Sequence, residues 1–184
     1  NNISVVKTFL YYGADPNLHN ENNITAVMIA AKEGYLEILY TLLEYNADVN
    51  KTNNEGNTPL IYASVYNHVQ CIQLLLKKMK ELGDINVNHR NNDNISALLY
   101  ASTTNNSDIC RLLLNEGANV NEQTSDGYTP LMLAAVHNNK QYIKDLIKYN
   151  ANLYIRNNDN ETVFDIDDIT DDIKKFIRAE KYSS

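Results

Sequence analysis

Four histidines, two cysteines and a cluster of aspartates are the side chains of this sequence best suited to chemistry. His19, His68, His89 and His137 fall far apart with no ligand-like pairing, so they read as loop or surface histidines, not as metal ligands. Cys71 and Cys110 carry no CxxC or framework spacing and read as small buried hydrophobes. Asp165, Asp167 and Asp168 converge on no second group and read as a solubilising chain end. A cation-binding or phosphorylation-ready acidic patch is the sharper alternative. Gly-rich phosphate loops, GxSxG and HExxH are all missing. The expectation is a chain that is not an enzyme and holds neither cofactor nor metal.

Charge narrows the partners. The 184 residues carry a formal charge of -7, the wrong sign for a surface that neutralises nucleic-acid phosphate or an anionic membrane. No apolar run reaches the roughly 18 residues a bilayer span needs. Asn supplies 29 residues, a bias consistent with codons from an AT-rich genome.

The elements that position these residues recur with a fixed period. Thr25, Thr58, Ser96, Thr129 and Thr162 each precede a short apolar run, at spacings of 33, 38, 33 and 33. Nine positions after the first four stand Gly34, Asn67, Asn105 and Asn138; Asn46, Gly117 and Asn150 form a further column at twenty-one. Five residues inserted after Leu76 account for the longer second interval.

Each period predicts two helices. The hydroxyl residue is an N-cap, and Pro59 and Pro130 follow at the first helical position, where a missing amide costs nothing. Two residues before each cap stand only Asn or Gly: Asn23, Gly56, Asn94, Gly127 and Asn160. These types adopt positive φ most readily, so a tight turn is expected there. First helices carry a small pair (Ala30-Ala31, Ala63-Ser64, Ala101-Ser102, Ala134-Ala135) that permits close helix approach. Second helices (LEILYTLL, VQCIQLLL, SDICRLLL, KQYIKDLI) place apolar residues three and four apart. The insertion is expected to lengthen the second of these through KKMKEL. Its Lys77, Lys78 and Lys80 read as a solvated basic turn in preference to a protruding partner contact.

TPLIYAS at 58–64, DGYTPLMLAA at 126–135, GADPN at 13–17 and EGANVN at 116–121 resemble ankyrin repeats. The resemblance implies an all-α fold, an ankyrin-repeat solenoid of stacked helix-turn-helix units with β-turn fingers. It covers 1–184 as one domain: a partial repeat at 1–19, full repeats at 20–52, 53–90, 91–123 and 124–156, and a degenerate C-terminal cap at 157–184. One departure stands out. The family's His after TPL is replaced by Met28, Ile61, Leu99 and Met132, losing a hydrogen bond that ties down the cap turn.

The ends differ from the middle. Residues 1–19 hold one helix without its partner, which reads as part of a longer array; a lost signal peptide stays open, and the expected location is cytoplasmic. In the last repeat, Asp165, Asp167 and Asp168 take first-helix positions, and Thr170 caps a final helix, DDIKKFIRAEK.

The resemblance further implies a non-catalytic, monomeric module that binds another protein, and neither nucleic acid nor membrane. Recognition is expected through the concave groove of turn tips and first-helix faces. By position, that surface takes the residues before the caps, Ile24, Asn57, Ile95 and Tyr128. It also takes the late first-helix residues Lys32, Glu33, Val65, Tyr66, Thr103, Thr104, Val136 and His137. Two alternatives are a regulatory or targeting arm of a larger enzyme or channel, and a microbial or viral ankyrin protein acting on host proteins.

Overall fold

A computed structural model describes residues 2–182 of the chain. Among them run ten helices: α1 (Ile3–Tyr11), α2 (Ala26–Glu33), α3 (Leu36–Glu44), α4 (Pro59–Val65), α5 (Val69–Leu82), α6 (Ala97–Thr103), α7 (Ser107–Asn115), α8 (Pro130–Val136), α9 (Lys140–Lys148) and α10 (Asp171–Lys181). The all-α repeat pattern expected from the period is present. Strand pairing among these residues is limited to isolated bridges, His19 with Thr25 and Arg90 with Ser96. Among the described residues no helix is long and apolar enough to cross a membrane.

Local chemistry sets the helix ends. Thr25, Thr58 and Thr129 accept hydrogen bonds from the amides of Met28, Ile61 and Met132 at 3.4, 3.2 and 3.2 Å, satisfying an orphan donor of each first turn. Pro59 and Pro130 sit just inside their helices. Asn23, Gly56, Asn94, Gly127 and Asn160, the residues two before each cap, all have φ between 57° and 81°. At Gly127 a Cβ would also lie 2.8 Å from the Asn157 Cα, so the close approach of the next turn adds a second reason for glycine. The inserted residues stay helical: α5 has 14 residues where α3, α7 and α9 have nine. This is a continued helix and not a basic turn. Met79 is buried against the core while Lys77 remains in solvent.

The contacts divide the chain between Ala97 and Leu98 into two compact units. In the first, α2 packs on α4 and α3 on α5. Its core is built from Leu39, Leu43, Leu60, Ile61, Ile72 and Leu75. The small pairs Ala30-Ala31 and Ala63-Ser64 are fully buried, as close helix packing requires. In the second unit, α9 packs on α7, α8 and α10. Leu98, Ile109, Leu113, Tyr142, Ile143 and Ile177 fill that core.

The last repeat departs from expectation. No helix follows Thr162; residues 162–169 form successive turns. Asp167 and Asp168 take the positions where the other repeats bury a small pair, and both stand in solvent, because an unpaired carboxylate is costly to pack into a helix contact. Thr162 still makes cap-like bonds: its Oγ accepts the Phe164 amide at 3.3 Å, while Asp165 Oδ2 accepts the Thr162 amide at 2.9 Å and its hydroxyl at 2.7 Å. Val163, Ile166 and Ile169 are nevertheless buried. The final helix forms as read, with Thr170 accepting from the Ile173 amide, acidic residues in its first turn and basic ones in its last.

Candidate recognition surface

The turn that precedes each first helix is built by one polar side chain five residues before the cap. Asn20 Oδ1 accepts the amides of Asn22 and Ile24, Asn53 those of Glu55 and Asn57, Asn91 those of Asp93 and Ile95, and Asn157 those of Asp159 and Glu161. In the remaining finger the Thr124 hydroxyl accepts the Tyr128 amide at 3.0 Å. Each finger is therefore closed by an Asx- or Ser/Thr-type turn, rigid enough to present its tip residues. These bonds fasten the turn where the family histidine is missing. Met28, Ile61, Leu99 and Met132 instead bury apolar side chains, and Met132 Sδ accepts the Thr129 amide at 3.5 Å.

Fingers are also joined to their neighbours. In the first unit the Asn54 amide donates to the Asn22 carbonyl at 3.1 Å and the Asn92 amide to the Glu55 carbonyl at 2.9 Å. In the second unit the Asn158 amide donates to Asp126 at 3.0 Å. The side-chain amides of the same asparagines reach Glu21, Asn54 and Ser125. Two histidines belong to this scaffold and not to free loops. His68 Nε2 lies 2.9 Å from the Lys32 carbonyl and His89 Nε2 2.8 Å from that of Gly56. A carbonyl only accepts, so both Nε2 atoms carry the proton. Among the described residues no group of three or more His, Cys, Asp or Glu is placed to hold a metal ion.

On this scaffold the first unit presents Ile29, Lys32, Glu33, Tyr62, Val65 and Tyr66 from α2, α4 and the end of α4. Lys32 Nζ stands 5.5 Å from the Tyr66 ring centroid, a cation–π contact that joins the two first helices at their ends. Tyr66 is 47% exposed and Glu33 is also in solvent; Ile24, Lys32, Val65 and Ile95 are half-buried. Asn57 is the exception. It is 9% exposed, its Oδ1 accepts Asn91 Nδ2 at 2.9 Å and its Nδ2 reaches Glu55, so it belongs to the finger framework and offers nothing to a partner. The second unit presents Thr103, Thr104, Val136 and His137 in solvent and Tyr128 half-buried. Thr103 and Thr104 donate to the Tyr100 carbonyl, and His137 Nδ1 to that of Leu133, so all three polar side chains are held against their helix ends.

One column was missed at the sequence level. Ile29, Tyr62, Tyr100 and Leu133 lie four after their caps, one helical turn before the late positions, and all keep solvent exposure. The three- and four-residue spacing along a helix face was the signal that would have found them. Tyr62 accepts from Asn53 Nδ2 at 2.9 Å, and burial, then the Glu55 carboxylate, push its phenol pKa upward, keeping it a neutral donor.

The nucleophile candidates lie away from this surface. Cys71 and Cys110 are buried, and desolvation pushes the Cys110 thiol up to about 11, removing thiolate character at neutral pH. Cys110 borders Ser102 and Tyr142, whose oxygens are 2.7 Å apart in the core.

No curated protein matches the chain. A family profile described as ankyrin repeats (3 copies) matches residues 1–90 and 79–157, the stretch that holds the paired helices and four of the five fingers. The chain belongs to the ankyrin-repeat family.

Proposed function

We propose that this chain is a non-catalytic recognition module that grips a partner protein through the exposed faces of its first helices and the adjoining finger tips. Ankyrin repeats are generally protein–protein interaction modules and typically lack catalysis. The observation that carries the reading is a contrast within one helix type. The buried face of the first helices repeats small residues from unit to unit, whereas the exposed face holds Ile29, Lys32 and Glu33, then Tyr62, Val65 and Tyr66, then Tyr100, Thr103 and Thr104, then Leu133, Val136 and His137. Packing needs uniformity there; recognition needs variety. Ile24, Ile95 and Tyr128 at the finger tips extend the face within their own units, and the module acts as a monomer.

Capture from source-cell lysate tests this, with the parent chain set against a Tyr66→Ala/Tyr128→Ala variant. The expected result is a protein retained by the parent and lost, or weakened at least tenfold, with the variant. Equal retention by both chains refutes the first-helix assignment.

A further inference from the structure

A second surface lies on the opposite helices. Between α1 and α3 runs a cleft of about 570 Å³ walled by Tyr11, Tyr12, Tyr40 and Tyr45, with Glu44 and Lys7 at its edges. Tyr11 and Tyr12 meet edge to face, ring centroids 5.4 Å apart and planes at 81°. Thr8 and Thr41 also line it, and their hydroxyls donate to the Ser4 and Glu37 carbonyls of their own helices. A second cleft of about 470 Å³ shares Lys7, Tyr40 and Thr41 and is lined further by Leu36 and Glu37 of α3 and Leu74 of α5.

The repeat provides its own control. The α1–α3 cleft is lined by positions fifteen, sixteen, nineteen and twenty of two successive periods. In α7 and α9 the same positions hold Arg111 and Asp145, ion-paired at 3.0 Å, and Asn115 and Tyr149, joined by a hydrogen bond from the Tyr149 hydroxyl. There the polar groups satisfy one another across the helices. Between α1 and α3 none of the four phenol hydroxyls, nor Glu44, nor Lys7, has a hydrogen-bond or ion-pair partner among the described residues. Four exposed aromatic rings thus form a patch rich in unused donors.

We propose that this cleft binds a proline-rich segment of a partner protein in the polyproline II conformation, with a basic residue of that segment on Glu44. A polyproline II chain has carbonyls without internal partners and few amides, so it needs donors, which the tyrosine hydroxyls and Lys7 supply. Its pyrrolidine rings pack on aromatic walls without a large ordering cost. Nine-residue α3 is about 13 Å long, the span of about four residues in that conformation. Glu44 and Glu37 give the groove an acidic balance over Lys7, which selects a cationic flank.

The test is titration of the whole chain with a nine-residue peptide holding a PxxP core and one terminal Arg. Tyrosine side-chain NMR shifts and calorimetry are the readouts. Saturable shifts confined to Tyr11, Tyr12, Tyr40 and Tyr45 are expected, with affinity falling at least tenfold in Tyr40→Ala and in Tyr12→Ala, and severalfold in Glu44→Gln. Both tyrosines are exposed, so circular dichroism should show these variants folded as the parent. Tyr66→Ala should bind the peptide unchanged, which separates this site from the first-helix face. The proposal is overturned by no saturable shift at millimolar peptide, by equal binding when the core prolines become alanine, or by shifts from tetramethylammonium chloride without shifts from the peptide. The last outcome would make the cleft a cation cage.

Discussion

Tyr142 and Ser102 allow a quantitative test of how the second unit holds together. The Ser102 hydroxyl has one proton, and it lies 2.7 Å from the Leu98 carbonyl, which only accepts. Across the other 2.7 Å contact Tyr142 must therefore donate to Ser102 Oγ. Tyr142 is fully buried. Tyr142→Phe removes one donor and leaves Ser102 bonded to Leu98, a loss of about 1 kcal/mol. Ser102→Ala takes the acceptor from a phenol hydroxyl in the core and leaves it beside the soft Cys110 sulfur, so about 2 kcal/mol is expected. Once Tyr142→Phe is in place the serine change should become cheap, giving a coupling energy of about 1 kcal/mol or more. Urea unfolding of the parent, the two single variants and the double variant measures this. Labelling of Cys110, whose thiol stays protonated while buried, reports the same unit independently, and opening should rise about fivefold and thirtyfold in the two single variants. Additive costs, or Tyr142→Phe costing more than Ser102→Ala, would refute the donor assignment.

Three further outcomes follow from the same geometry. Asn91→Ala removes the acceptor for the Asp93 and Ile95 amides and the donor to Asn57, and should cost about 2–3 kcal/mol in thermal or urea unfolding; a cost under half a kilocalorie would show that the finger closes without it. Hydrogen bonds from the Thr162 amide and hydroxyl, with Arg156 and Lys174 nearby, hold the Asp165 carboxyl below the usual carboxylate range. Its folded pKa is depressed, so the 162–165 turn keeps this stabilisation above the ordinary Asp value and loses it as pH falls through the lowered one; the Thr162 amide resonance should move there, and a flat titration would contradict the bond. Finally, α1 buries only Leu10 whereas α3 buries five residues, so hydrogen exchange should find α1 opening well before α3 and α9. Equal protection of α1 and α9 would count against that.

What the sequence disclosed and what it hid divide along physical lines. Caps, Pro at the first helical position and the positive-φ turns depend on one or two adjacent residues, so Thr58-Pro59 and Asn94 could be read directly. The insertion was legible because helix continuation through Lys77–Leu82 needs no distant partner. Thr162 misled because its cap-like bonds start a turn, but Asp167 and Asp168 stand where the other repeats bury small residues, so no packed helix face follows. Asparagine abundance read as codon bias conceals a framework: Asn20, Asn53, Asn91 and Asn157 close fingers, and eight asparagines take positive φ. On the candidate surface, exposure of Tyr66 and Glu33 followed from variation between repeats. Burial of Asn57 did not, because its partner Asn91 belongs to the next repeat, 34 residues away. The α1–α3 cleft was hidden for a related reason. Tyr12 and Tyr45 look like ordinary helix-end aromatics until the pairing across helices is set against Asn115 and Tyr149.

The central claim, recognition through the first-helix faces, is tested most directly by photo-crosslinking from defined positions. A benzophenone side chain placed at Ile29, Tyr66 or Thr104 should link covalently to the captured partner, while the same group at Gln73 or Lys144, on the second helices, should not. Crosslinks arising from Gln73 and Lys144 with none from Ile29, Tyr66 and Thr104 would contradict the account.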